Sequence, residues 1–224
     1  MLRIYGTIKS RAARTLWMAE ELGLAYELVP IDYRARQTRT PEFLAVNPNG
    51  HVPAIDDDGL RLHESMAINL YLARKHASST LAPQDLAEEG RCLSWSFWTM
   101  TELEAPALTV FMQTKALPLE KRDPDKLSRA AGALRPPLGV LEKTLGNLGQ
   151  SAGELGQSEA SGNARQPYLL GERFTVADLN VASVLAWVRA APLLAEFPLA
   201  GAWLERCLHR QAYRRLEAMR EAAD

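Results

Sequence analysis

This chain of 224 residues has little of the material from which metal centres, disulfide scaffolds and membrane spans are built. Its two cysteines, Cys92 and Cys207, form no CxxC pair, and its four histidines are scattered. The sequence therefore predicts no metal site, and two buried thiols rather than a disulfide. No apolar run approaches the roughly 20 residues of a transmembrane helix, so we expect no membrane partner.

The chain also lacks an excess of charge of either sign. Lys and Arg together number 26 and Asp and Glu 27, which gives a formal net charge of -1. This balance offers no strongly basic surface, so we expect no nucleic-acid partner. A strand-like segment begins at residue 2, which predicts the absence of a signal peptide. With its unpaired thiols, the chain is predicted to be cytoplasmic.

Residues 1 to about 78 alternate strand and helix signals. The predicted elements are a strand at 2–5, a helix at 12–22, a strand at 26–31, a short helix from Thr40 to about Asn47, hairpin strands at 52–56 and 60–62, and a helix at 65–76. The first three predict a parallel crossover. Asp58-Gly59 is typical of a tight hairpin turn. The order βαβ, α, ββ, α predicts an α/β domain with a mixed four-stranded sheet.

From about residue 84 the strand signals end, and an all-helical domain is predicted over 84–224. Its predicted helices cover 86–114 with a kink at Pro106, 123–148 with an interruption at Pro136-Pro137, 174–189, 198–209 and 211–222. Residues 149–166 have almost no large apolar side chains and are predicted to form a flexible surface loop. Thr175 and Asp178 fit a capping box, which is a structural feature.

Two short stretches indicate a binding site, 47–53 and 63–65. A proline that opens a strand leaves the backbone N–H and C=O of Val52 without ladder partners, so these groups can pair with an extended peptide. The helix that begins at Ser65 presents free backbone N–H groups, which are a natural seat for a carboxylate. Together these features predict a site for a small, extended, anionic peptide.

The order of the elements, the Val-Pro and Glu-Ser pairs and the Thr-x-x-Asp box together resemble the cytosolic glutathione S-transferases. The resemblance covers nearly the whole chain apart from 149–166. It implies a thioredoxin-like domain at 1–78 that binds glutathione. It also implies an all-α domain at 84–224 that supplies the electrophile site, facing a cleft between the domains, and the dimer contacts.

Ser10, in the loop between the first strand and the first helix, makes the chain similar to bacterial, serine-type, theta-like members of that family. Other classes place tyrosine or cysteine in this loop. The resemblance implies that the Ser10 hydroxyl donates a hydrogen bond to the glutathione sulfur and stabilises its thiolate. On position alone Ser10 is equally well explained as a helix N-cap, and Thr7 is a rival donor.

The resemblance also implies where the rest of glutathione binds. Val52, with Pro53 in the cis form, pairs with the cysteinyl part, while Glu64 and Ser65 hold the γ-glutamyl end. Two residues are candidates for the glycine carboxylate: His51, where relatives often carry lysine, and Arg39.

The resemblance implies a homodimeric transferase that acts in detoxification. Glutathione is its co-substrate, and the glutathione sulfur attacks a small apolar electrophile. Two alternatives stay open: a glutathione-dependent disulfide reductase or peroxidase, and a non-catalytic binding or interaction protein with the same fold.

The roles of two groups of residues also stay open. Trp95, Phe97 and Trp98 are either core residues or a wall of the electrophile pocket, and Arg11 and Arg14 either add positive potential or are merely solvated.

Overall fold

The computed structural model describes residues 1–154 and 167–223. The chain divides into two compact units, Met1–Gln84 with His209–Asp224, and Asp85–Leu208. The predicted domain boundaries, 1–78 and 84–224, stay a prediction. By contacts, however, the last helix belongs with the N-terminal unit, which the sequence pattern did not indicate.

Strands and α-helices follow the chain in a regular order. They are β1 (Leu2–Tyr5), α1 (Ala12–Leu22), β2 (Tyr26–Val29), α2 (Pro41–Leu44), β3 (Ala54–Asp57), β4 (Leu60–His63), α3 (Ser65–Lys75), α4 (Leu86–Trp98), α5 (Glu104–Phe111), α6 (Pro124–Glu154), α7 (Val176–Leu185), α8 (Pro198–Leu208) and α9 (Gln211–Glu221).

The sheet of the first unit has the strand order β2-β1-β3-β4. β1 is parallel to β2 and antiparallel to β3, and β3 is antiparallel to β4. The predicted mixed four-stranded sheet is therefore confirmed. At the β3–β4 turn, Asp58 (φ 51°) and Gly59 (φ 95°) adopt the positive φ values that the Asp-Gly pair predicts. The prediction that Val52 opens β3 was wrong, because pairing begins at Ala54.

Seven of the eleven residues of helix α1 are buried, and α9 packs against this helix. Trp17 of α1 meets Tyr213 of α9 edge-on, with ring centroids 4.7 Å apart. Arg210 donates two hydrogen bonds of 2.8 Å to the Glu21 carboxylate, whose side chain is nearly buried. The last helix is thus packed along α1 by an aromatic contact and a bidentate ion pair, the strong geometry for such pairs.

Helix α3 is fixed to the sheet through Asp57, at the end of β3. The Asp57 carboxylate accepts hydrogen bonds from Lys75 at 2.5 Å and from Tyr71 at 2.7 Å. Burial alone would raise the pKa of Asp57, but these hydrogen bonds and the ammonium charge lower it below its usual value of 3.8. This anchor fixes the second half of α3, the helix that begins at Ser65.

Asp57→Asn is expected to lower the melting temperature at neutral pH and to have a smaller effect in acid. The folded-state pKa of Asp57 lies below the unfolded value, so its stabilisation is present above pH 3.8 and is lost as the pH falls through the folded pKa. Thermal unfolding of both proteins across this range checks the prediction. Tyr71→Phe, which removes one donor, should show a smaller pH-dependent difference. A melting-temperature gap that is constant with pH would contradict it.

The second unit is helical in its described part, but its helices differ from the predicted ones. The stretch predicted as one helix over 86–114 changes to π-helical turns at Thr99–Leu103 and Met112–Ala116. The predicted interruption at Pro136-Pro137 was wrong, because α6 continues through both prolines. It reaches Glu154, so the first part of the predicted 149–166 loop is helical, and the remainder lies outside the described residues.

The core of the second unit centres on α7, every residue of which is buried. The capping box at its start is confirmed: the Thr175 N–H and hydroxyl donate to Asp178 Oδ2 at 2.9 and 3.0 Å. The other oxygen of Asp178 accepts from the Leu169 N–H at 2.8 Å and the Trp203 indole at 3.0 Å. Burial raises the pKa of Asp178, although these hydrogen bonds act in the opposite direction.

Candidate functional site

Three chain segments of the first unit meet at one end of its sheet. The strand register places Tyr5 opposite Ala54, and Ala54 opposite His63. Neighbouring strands lie about 4.8 Å apart. The loop that follows β1, the Val-Pro pair that precedes β3 and the Glu-Ser pair that follows β4 therefore emerge side by side. This is the arrangement that the predicted peptide site requires.

Ser10 lies in the loop between β1 and α1. Its Oγ accepts hydrogen bonds from the N–H groups of Ala12 (3.1 Å) and Thr7 (3.3 Å), and donates to the Thr7 carbonyl at 2.8 Å. The hydroxyl therefore satisfies the N–H of the first residue of α1, although the N-cap position itself is occupied by Arg11, whose side chain makes no cap. The hydroxyl is also partly exposed, so it can be reached by a bound group.

The side chains of Ser10 and Val52 both lie close to Gly6. A Cβ on Gly6 would lie 3.3 Å from both the Ser10 Oγ and the Val52 Cβ, and 2.5 Å from the Ala12 Cβ. Because its φ is also +140°, a side chain here would collide and be strained. The sequence prediction missed Gly6, and the signal available for it was a glycine directly after a strand.

The Val52–Pro53 peptide bond is cis, as the resemblance implied. Glu64 has φ 70° and ψ 110°, an unusual backbone conformation for a residue with a side chain. Such conformations cost on the order of 1–3 kcal/mol and cluster at ligand sites. Ser65 follows as the first residue of α3 and is 5% exposed. Glu64 is exposed, so its carboxylate is open to a ligand.

His51 belongs to the loop that precedes the cis proline, and the side chain of Arg39 contacts the same loop. The Asn47 side chain fixes this loop, donating to the His51 carbonyl at 2.7 Å and accepting from the Asn49 N–H at 3.0 Å. Arg39 Nη1 lies 3.3 Å from the Asn49 carbonyl and 2.7 Å from where a Cβ of Gly50 would be. Arg39 and His51 are both exposed. Asn47 lies in the predicted stretch 47–53, but no role of its own was predicted for it.

The sequence left open whether Arg11 and Arg14 are solvated and whether three aromatic residues of α4 belong to the core, and the structure gives a separate answer for each residue. Arg11 is exposed, whereas Arg14 is 3% exposed and is not a solvated residue. Trp95 and Trp98 are half-buried and in edge-to-face contact at 4.9 Å, but Phe97 is 68% exposed and is therefore not a core residue. The electrophile-wall interpretation stays a prediction.

Both cysteines are buried, as predicted, and burial raises the pKa of Cys92 to about 11. Residues 1–154 and 167–223 contain no group of three or more His, Cys, Asp or Glu side chains able to hold a metal ion. No helix within these same ranges combines the length and apolar character that a membrane span requires.

Two family models match the chain: the glutathione S-transferase N-terminal domain over residues 1–74 and the glutathione S-transferase C-terminal domain over residues 124–206. Glutathione S-transferase 3 of Zea mays is 31% identical over 97% of this chain and 93% of that protein. The chain belongs to the glutathione S-transferase family. The resemblance seen in the sequence is thereby confirmed at the level of the family.

Solved glutathione transferases share the fold over their whole length. Glutathione S-transferase I from maize, solved with an atrazine glutathione conjugate, superposes with a TM-score of 0.81 at 27% identity, covering 100% of this chain and 99% of that chain. Glutathione transferase F7 from Populus trichocarpa superposes with a TM-score of 0.80 at 25% identity, covering 98% and 99%. These relatives are plant proteins, so they do not support the predicted bacterial, theta-like subtype.

Proposed function

We propose that this chain is a glutathione S-transferase in which Ser10 stabilises the thiolate of bound glutathione for attack on a small apolar electrophile. The observation that carries this proposal is the meeting of the Ser10 loop, the Val52–Pro53 cis peptide and the Glu64-Ser65 helix start at one end of the sheet. These groups offer what an extended tripeptide with two carboxylates needs. On this proposal the chain is serine-type in function.

The chemistry depends on the ionised sulfur. The thiolate is the nucleophile, and a free thiol titrates at about 8.5. A hydroxyl donor and the positive end of α1 both favour the anion and so lower that value. Sulfur then forms a bond to the electrophilic carbon, while a leaving group departs or a proton is taken up. The protein forms no covalent bond itself, and glutathione is consumed as a co-substrate.

One rearrangement is needed for this role. The Ser10 hydroxyl has a single proton, which it donates to the Thr7 carbonyl at 2.8 Å. To donate to sulfur the hydroxyl must rotate about its C–O bond, a fast motion without backbone change. The N–H groups of Ala12 and Thr7 still donate to the same oxygen, which keeps it in position.

The remaining predicted residues divide among the parts of glutathione. Val52 lies close to Gly6, as Ser10 does, and so suits the cysteinyl backbone, and Glu64 and Ser65 suit the γ-glutamyl ammonium and carboxylate. His51 and the side chain of Arg39, which contacts the Asn49 carbonyl of the same loop, are proposed for the glycine carboxylate. A guanidinium is the better carboxylate partner, because it is always charged and can donate twice.

Glu64→Ala and Ser65→Ala are each expected to weaken retention on immobilised glutathione. Ser65→Ala removes a hydroxyl donor at the carboxylate seat, and Glu64→Ala removes the partner of the ligand ammonium. The concentration of free glutathione needed for elution measures the effect. Glu42→Ala, which removes an exposed carboxylate of α2, is the matched control and should elute like the wild type. Unchanged retention of both site variants would show that the γ-glutamyl end binds elsewhere.

We further propose a homodimer and a cytoplasmic location. On α4, Leu86, Leu93 and Phe97 are exposed to 83%, 39% and 68%. Their spacing puts them along one side of the helix, and such an exposed apolar stripe suits contact with a second copy.

The two alternatives gain no support. Both cysteines are buried and the pKa of Cys92 is raised to about 11, so a reductase or peroxidase on this fold would have to act through bound glutathione and not through a protein thiol. A panel of halonitroarenes, epoxides, hydroperoxides and disulfides separates conjugation from glutathione-mediated reduction. A non-catalytic protein would be indicated if calorimetry detected no glutathione binding.

A further inference from the structure

A buried arginine lies between two parts of the proposed glutathione site. Arg14 follows Ser10 by four residues and lies in the first turn of α1, with only 3% of its surface exposed. Its Nη1 is 3.5 Å from the Oγ of Ser65, at the long end of hydrogen-bond distances. Ser65 is itself 5% exposed. The contact therefore joins a buried cation to the first residue of α3.

A second contact joins the same two helices one turn further on. The Asn69 side-chain amide donates to the Arg14 carbonyl at 3.4 Å, and Asn69 is completely buried. Residues four apart on a helix share a face, so Ser65 and Asn69 present one side of α3 to Arg14. The start of α1, next to Ser10, is thereby held against the start of α3.

The donor and acceptor chemistry of this contact has a definite direction. A guanidinium can only donate hydrogen bonds, whereas a serine oxygen can accept and also has one proton to donate. When Ser65 Oγ accepts from Arg14, its own proton must point to another acceptor. A carboxylate bound at the start of α3 is an acceptor, and the arginine polarises the hydroxyl toward it.

We propose that Arg14 is a positioning residue for the γ-glutamyl carboxylate of glutathione. It orients the Ser65 hydroxyl as a donor and places a permanent positive charge behind the seat. Arg14 does not touch the carboxylate; it acts through Ser65. This inference rests on the proposed function, because it assumes that the γ-glutamyl end binds at Ser65.

The experiment compares two ligands by calorimetry: glutathione, and its analogue with γ-aminobutyrate in place of the γ-glutamyl residue, which lacks only that carboxylate. Arg14→Met is expected to raise the Kd of glutathione about tenfold, the loss typical of one charge-assisted hydrogen bond. The Kd of the analogue should not change. Arg74→Met, which removes an exposed positive charge from α3, is the matched control and should affect neither ligand.

A second variant separates this role from a merely structural one. In a Ser65→Ala background, Arg14→Met should cost far less glutathione affinity than in the wild type, because the hydroxyl that it orients is gone. If Arg14→Met does not fold, Arg14→Lys provides the same comparison, with a smaller loss confined to glutathione. Melting temperatures identify the folded variants.

Two results would overturn the inference. Equal weakening of both ligands by Arg14→Met, or no weakening of either, would mean that Arg14 only supports the packing of α1 on α3. If the wild type itself did not distinguish glutathione from the analogue, the proposed γ-glutamyl seat would be wrong and the inference would fail with it. The wild-type comparison thus separates the two failures.

Discussion

Ser10→Ala is expected to lower kcat about 100-fold, the usual loss when one donor to a developing or stabilised anion is removed. Affinity for glutathione should change little, because on the proposed function the peptide is held by Val52, Glu64 and Ser65 and by the loop that contains His51. Steady-state kinetics with a halonitroarene, together with calorimetric binding of glutathione, measure the two effects separately.

Thr7→Val is the control that tests the rival donor. Thr7 contributes its backbone N–H and carbonyl to Ser10, and both groups survive the substitution. Its kcat should therefore stay close to the wild-type value. Wild-type turnover in Ser10→Ala, combined with a large loss in Thr7→Val, would transfer the role to the Thr7 hydroxyl.

Asp178→Ala is expected to destabilise the protein by about 3–5 kcal/mol, the range for breaking a buried charged network. The substitution leaves the N–H groups of Leu169 and Thr175 and the Trp203 indole buried without their acceptor. Each such group costs about 1–3 kcal/mol. Denaturant unfolding measures the change, and a fall in melting temperature of roughly 10 °C should accompany it.

Two milder substitutions should destabilise the protein less than Asp178→Ala does. Asp178→Asn keeps one oxygen for Leu169 and Trp203 but turns an amide donor toward Thr175, so its cost should be intermediate. Thr175→Ala removes only the hydroxyl and should cost roughly 1 kcal/mol. Equal stabilities for Asp178→Ala and Thr175→Ala would contradict the role of Asp178 as a shared acceptor.

The local chemistry of the chain made much of the fold predictable. The Asp58-Gly59 turn and the Thr175 capping box depend on a few adjacent residues, so both could be predicted from the sequence. That the Val-Pro and Glu-Ser pairs meet followed from the predicted hairpin that they bracket, whereas the role of Ser10 in the same site was implied by the resemblance. The cis state of Pro53 was implied only by the resemblance, because sequence alone does not fix the isomer.

Features that depend on packing were not predictable in the same way. Arg14 and Arg11 are both arginines near the start of α1, yet only Arg14 is buried, because α3 lies on its side of the helix. Helix α9 packs on α1 through Arg210 and Tyr213, a contact that no local pattern encodes. Pro136 does not interrupt α6, so tertiary context outweighs its intrinsic preference.

The central claim is that glutathione bound beside the Ser10 hydroxyl is ionised at neutral pH. A pH titration of the ultraviolet thiolate absorbance of the glutathione complex tests it most directly. The account predicts a midpoint well below the value of about 8.5 for a free thiol, and a return toward that value in Ser10→Ala. A wild-type midpoint equal to that of free glutathione, or one that Ser10→Ala does not move, would contradict the account.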